Sequence, residues 1–169
     1  MKLIAPILDR VKNGGVEDLY ALGEEFDGVR PPSLRVPQSA LDTALTDLDP
    51  DIRRSLEISI ERIRKVHNDQ VRAPHTTHVV DGGTVTERWV PVDRVGLYVP
   101  GGRAVYPSSV IMNVVPALVA GVKQIAIATP GQAAFGGRAH PTVLATASQS
   151  VLCNNGSTGS SILTASTNA

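Results

Sequence analysis

Apolar residues fall at helical spacing through the first part of the chain. Leu3, Ile4, Ile7, Leu8 and Val11 share one face of a helix over residues 3–12. Asn13-Gly14-Gly15 stops it, because glycine tolerates the left-handed backbone that ends many helices. The pattern resumes over residues 16–26 through Leu19, Leu22 and Phe26. Prolines 31, 32 and 37 cannot continue a helix, so DGVRPPSLRVP reads as an extended connector. SALDTAL, residues 39–45, predicts a short helix capped by Ser39.

The longest helical pattern begins at Asp49, a capping residue, followed by Pro50 at the first helical position and Asp51 on the positive end of the helix dipole. Ile52, Leu56, Ile60 (or Ser59), Ile63 and Val66 form its apolar stripe as far as about Asn68. Arg53, Arg54, Glu57, Glu61, Arg64 and Lys65 occupy the other face, which reads as a solvated surface of helix-spaced ion pairs rather than a nucleic-acid interface.

After Pro74 the period changes to that of a strand. THVV, Asp81-Gly82-Gly83 and TVTERWVPV predict a β-hairpin, with Trp89, the only tryptophan, anchoring its packing. RVGLYVP predicts a further strand, PSSVIMNVVPALVAG a helix starting at Pro107 or Ser108, and QIAIAT a buried strand. A strand, helix and strand in that order form a βαβ unit, which implies parallel pairing. The expected fold class is α/β: N-terminal helices, a β-hairpin, then a βαβ unit of an incomplete, mostly parallel sheet. The helical region is placed at residues 1–74 and the α/β region at residues 75–147.

Composition changes the picture at the far end. Residues 139–169 contain no Asp, Glu, Lys or Arg, and the last 22 residues hold six serines, three threonines and three asparagines. Such a segment cannot bury enough apolar surface to offset the entropy of ordering, so residues 148–169 are expected to form a flexible low-complexity tail. Over the whole chain of 169 residues, 42% are hydrophobic, and 16 basic residues balance 16 acidic ones. That balance gives no reason to expect a nucleic-acid or membrane partner. A single cysteine, Cys153, excludes an internal disulfide and suits the cytoplasm. No signal-peptide layout and no transmembrane-length apolar run is visible.

Three groups of residues bear on chemistry. Tyr98-Val99-Pro100-Gly101-Gly102 stands at the carboxyl end of a predicted parallel strand, the edge where open α/β sheets bind ligands. Two glycines leave backbone N–H groups open to an anion, and Tyr98 offers a ring to stack or a hydroxyl to donate. The same stretch also reads as a tight turn with a packed tyrosine, and it does not match the G-x-G-x-x-G dinucleotide pattern. Arg103, Tyr106, Ser108 and Ser109 form an alternative anion clamp, or simply a surface arginine beside a helix cap. His75 and His78 have a spacing seen in zinc sites, but two ligands do not make a site. His140 reads as the cap of a turn and His67 as a border residue of the long helix. Cys153 has no feature that would activate it as a nucleophile. No residue stands out as catalytic or metal-binding.

The segment PVDRVGLYVPGGRAVYPSSVIMNVVPALVAGVKQIAIATP closely resembles histidinol dehydrogenases. PILDRVKNGGVEDLYALGEEFDGV is similar to that family's N-terminal helices, and FGGRAHPTVLA to the segment after its second strand, so the likeness spans roughly residues 4–147. The resemblance implies zinc-dependent homodimers of α/β domains that oxidise L-histidinol to the aldehyde and then to L-histidine, with reduction of two NAD. It implies that residues 75–147 are part of a nucleotide-binding domain, that Tyr98 contacts NAD, and that Gly101 and Gly102 shape the loop beside it. It further implies that the zinc ligands, a Glu-His acid/base pair and most substrate contacts belong to polypeptide beyond this chain. The change of composition near residue 148 is read as a frameshift or gene truncation, and the chain as a fragment without turnover of its own. A non-catalytic module that binds a nucleotide or a partner protein is the other reading.

Overall fold

The computed structural model describes residues 4–101 and 104–153. In chain order the elements are α1 (Ala5–Asn13), α2 (Val16–Asp27), α3 (Gln38–Thr46), α4 (Pro50–Gln70), β1 (His75–Val80), β2 (Gly83–Glu87), β3 (Arg94–Tyr98), α5 (Pro107–Val119), β4 (Gln124–Ala128), a single 3₁₀ turn (Ala133–Phe135) and α6 (Pro141–Leu152). The fold is α/β, as the patterning implied.

Helix ends show which local signals operate. The Asp49 carboxylate accepts from the backbone N–H of Asp51 at 2.9 Å and of Ile52 at 3.1 Å, and Pro50 opens α4. Gly28 ends α2 in the left-handed region at φ 67°. Gly14 does not end α1 in that way: its φ is −87°, and a Cβ there would press on the Asp18 carboxylate and the Arg10 carbonyl. Its glycine is demanded by space rather than by handedness. Ser39 is not a cap either, because α3 starts one residue earlier and Pro37 holds the cap position without a side-chain bond.

The long helix buries less than its stripe suggested. Leu56 and Ile60 are buried, whereas Ile52 and Val66 stay exposed. Its polar face is only partly a solvated one. Arg53 pairs with Glu57 at 3.4 Å, but Glu57 also accepts from Gln149 Nε2 at 3.1 Å, and Arg64 Nη1 donates to the Cys153 carbonyl at 2.6 Å. Both contacts tie α4 to α6.

β1 and β2 pair antiparallel, with His75 opposite Glu87 and His78 opposite Thr84, and Gly82 takes φ 75° in the turn. No residue of either strand is buried. Trp89 does not anchor this hairpin: it lies beyond β2, is 61% exposed, and meets the Arg72 guanidinium 5.6 Å from its ring centre.

β3 and β4 run parallel in the register Arg94–Gln124, Gly96–Ala126, Tyr98–Ala128, with α5 as the crossover. Alternation sends Val95, Leu97, Ile125 and Ile127 to one side, where they join Val110, Val114 and Leu118 of α5. Leu41, Ala44 and Leu45 of α3 and Val143, Leu144 and Ala147 of α6 complete that core. A second cluster sets Leu56 and Ile60 of α4 against Ile111 and Val115 of α5. The core therefore continues across residue 74.

α6 lies partly where a flexible tail was expected. It runs to Leu152, and Ser148, Gln149 and Ser150 are buried in it. Small residues let it approach its neighbours closely, and the Thr146 and Ser150 hydroxyls donate to the carbonyls of Thr142 at 2.6 Å and Thr146 at 2.7 Å. Those two hydroxyls are satisfied within their own helix, so burying them costs little. The rest of the expected tail, residues 154–169, lies outside the described residues.

Candidate functional site at the carboxyl edge of the parallel pair

Two loops leave the carboxyl ends of β3 and β4 side by side. The ladder continues one residue past β3, where the Val99 N–H donates to the Ala128 carbonyl at 2.8 Å, and Val99 is fully buried. Val99 fixes the root of the first loop, while the preceding side chain, Tyr98, points away from that core and is 47% exposed. Asn113 of α5 donates from Nδ2 to the Tyr98 carbonyl at 3.1 Å, locking the strand end to the crossover helix. Partial desolvation, and secondarily the Asp27 carboxylate, pushes the Tyr98 phenol above its usual pKa. The ring is thus a neutral, half-open surface at a sheet edge, suited to stacking and to donating a hydrogen bond.

Gly101 sits against the second loop. A Cβ there would lie 3.2 Å from Pro130 Cδ and 3.6 Å from the Thr129 hydroxyl, so absence of a side chain lets the two loops meet. Gly102 and Arg103 lie outside the described residues. Pro107 opens α5; Tyr106 is at the cap position and makes no side-chain cap bond, and the first turn has no acidic residue. Ser108 is exposed and does not cap the helix, whereas the Ser109 N–H donates to the Tyr106 carbonyl at 3.1 Å. The Ser108 N–H lies in the first turn of α5, at the positive end of the helix dipole.

The second loop was not singled out by sequence reasoning. Gln132 and Arg138 bridge across it, the Gln132 N–H donating to the Arg138 carbonyl at 2.9 Å. Gly136 and Gly137 turn it with successive φ values of 60° and 79°. A Cβ on Gly137 would lie 2.6 Å from the Arg30 carbonyl, so this loop clasps the connector between α2 and α3. A signal was present: Gly136-Gly137-Arg138 repeats the Gly101-Gly102-Arg103 triplet after the other strand. His140 then accepts from the Thr142 N–H at 3.2 Å and caps α6, with its ring edge-on to Phe135 at 4.8 Å.

The other candidates stay apart. His75 and His78 are three residues apart on a strand, which puts them on opposite faces. His67 Nδ1 is engaged with the Ile63 carbonyl at 2.8 Å. Cys153 is half-buried at the end of α6, and its sulfur accepts from Gln149 Nε2 at 3.3 Å. Among the described residues, no three His, Cys, Asp or Glu side chains converge as a metal site. No helix among them is long and apolar enough to cross a membrane.

Comparison with known proteins is specific. The family profile of histidinol dehydrogenase matches residues 1–153, past residue 148, where the composition changes. The histidinol dehydrogenase of Thermobifida fusca is 65% identical over 142 residues, which cover 84% of this chain and 32% of that protein. That of Mycolicibacterium smegmatis is 58% identical over 144 residues, covering 85% of this chain and 32% of that protein. The crystal structure of histidinol dehydrogenase from Elizabethkingia anophelis superposes with a TM-score of 0.85 at 23% identity, over 97% of this chain and 36% of that one. The chain thus spans about a third of the length of the relatives it matches. With the family profile matching nearly all of its residues, the chain belongs to the histidinol dehydrogenase family.

Proposed function

We propose that this chain supplies the cofactor-facing edge of a histidinol dehydrogenase, an NAD-dependent oxidoreductase of histidine biosynthesis that converts L-histidinol to L-histidine in two oxidations. The observation that carries the reading is the half-exposed Tyr98 ring at the carboxyl edge of a parallel strand, inside the stretch that the family shares. Tyr98 packs on NAD. Gly101 lets the loop lie close to the cofactor, Gly102 is assigned to the same contact, and the uncapped first turn of α5 offers N–H groups to a phosphate. When bound, NAD accepts hydride from the substrate.

Zinc does not fit the described residues, which gather no ligand set. The zinc ligands, the acid/base pair and the L-histidinol pocket are assigned to the remaining length of the family polypeptide. The working enzyme is placed in the cytoplasm as a homodimer. Binding energy from one edge of a site gives no rate without the reacting groups. Purified chain supplied with L-histidinol, NAD and zinc is therefore expected to form no NADH above background. Sustained NADH formation by the 169-residue chain, sensitive to a zinc chelator, would overturn this assignment of groups.

A further inference from the structure

The loop after β4 is wedged between the Gly101 loop and the connector that joins α2 to α3. A Cβ on Gly137 would lie 2.6 Å from the Arg30 carbonyl and 2.8 Å from Pro31 Cα. A Cβ on Gly131 would press on the Gly137 carbonyl, which is backbone and cannot rotate aside. The residue before Gly131 is Pro130, the one that meets Gly101. Connector, Gly137, Gly131, Pro130 and Gly101 thus touch in succession, and close-packed contacts of this kind transmit a displacement rather than absorb it. The loop is braced internally: the Phe135 and Gly137 N–H groups both donate to the Gln132 carbonyl at 3.0 Å, beside the Gln132–Arg138 bridge. The connector is pinned at one end by Arg30, whose guanidinium meets Glu17 at 2.7 Å and Glu24 at 3.6 Å, and at the other by Val36 in the core. A gap of about 10 Å³ beside Pro31, Thr129 and Gly137 leaves room for one water at most.

We infer that Gly131 and Gly137 are positioning residues for NAD: bearing no side chain, they let the α2–α3 connector set how far the Gly101 loop stands from the cofactor. The inference deepens the cofactor reading and rests on it. A methyl group at Gly131 cannot push the Gly137 carbonyl into the connector, because the connector already touches Gly137. The displacement is therefore passed to Pro130, and from Pro130 to Gly101.

Titration of the isotopically labelled chain with NAD, run beside thermal unfolding of each variant, tests it. Gly131→Ala is expected to shift the Gly101 and Thr129 amides of the free chain and to raise the Kd for NAD at least about tenfold. Gly121→Ala carries backbone strain of its own, at φ 85°, but lies past the far end of α5. It should lower the melting temperature and leave the Kd unchanged. Where Gly131→Ala does not unfold cooperatively, Arg30→Gln decides, since that side chain is exposed and outside the loop. Loosening the connector in this way should move the same two amides and raise the Kd about threefold. Parent-like affinity in Gly131→Ala, or in Arg30→Gln where it decides, would sink the inference and leave the cofactor reading standing. An equal loss of affinity in Gly121→Ala would also sink it, because affinity would then follow stability alone. A parent chain that does not bind NAD would remove both the inference and the reading beneath it.

Discussion

Tyr98 shows how a single residue can be read and where the reading stops. Its place at the end of an apolar strand was visible in the sequence. The neighbours around it were not, because Asn113 of α5 holds its backbone carbonyl, while burial and the Asp27 carboxylate at the end of α2 act on its phenol. Desolvation raises its pKa, so the neutral phenol is the form favoured in the fold. The corresponding stability is fully present below the unfolded value of about 10 and is lost as pH rises through the higher folded value. An alkaline titration of phenolate absorbance should show a phase above the usual tyrosine range, and Tyr98→Phe should remove that phase. Gly137 makes a sharper demand, with φ 79° and a carbonyl 2.6 Å from where a Cβ would stand. Gly137→Ala is expected to cost about 1–3 kcal/mol in urea unfolding, through strain and displacement of the connector. Gly136→Ala, with positive φ but open space, should cost about 1 kcal/mol. Equal losses at the two positions would count against the clasp between residues 137 and 30. Neither glycine was distinguishable from the sequence, since the difference lies in a neighbour more than a hundred residues away.

Among the elements, α4 was the most legible because its signals are local: a capping carboxylate, a proline at the first turn and a periodic stripe. Asp49→Ala removes an acceptor for two backbone N–H groups and should cost about 1 kcal/mol by thermal or urea unfolding, with Asp49→Ser retaining most of it. α6 was the least legible. Its sequence carries no charge and many hydroxyls, which resembles an unstructured tail by composition. What makes it a helix is tertiary: Val143, Leu144, Ala145 and Ala147 find a core, and the Thr146 and Ser150 hydroxyls each find a carbonyl one turn back. Ala145 has no exposed surface, so Ala145→Leu should overpack the junction with α3 and α5 and destabilise by about 1–3 kcal/mol. An unchanged melting temperature would mean that α6 is not seated in that core. The hairpin was legible for the opposite reason, since turn chemistry and alternation suffice for it, but its exposure and that of Trp89 depend on what lies around it.

For the molecule as a whole, patterning anticipated a parallel βαβ unit and the loop at its carboxyl edge. It did not anticipate that α3, α4 and α6 would enclose α5 in two adjoining clusters, since contacts between helices distant in sequence leave no periodic trace. Nor did it anticipate the second glycine loop that meets the first at Gly101 and Pro130. The proposed cofactor reading depends on those two loops, the Tyr98 ring and the start of α5 acting together as one edge for a dinucleotide. The direct test is a titration of isotopically labelled chain with NAD, followed by amide nuclear magnetic resonance, which detects weak binding as readily as strong. The expected result is a saturable shift of the amides of Tyr98, Gly101, Ser108 and Thr129, absent in Tyr98→Ala. Amides at that edge that stay still under saturating NAD, or shifts confined to the groove between His67, Arg72 and Trp89, would contradict it.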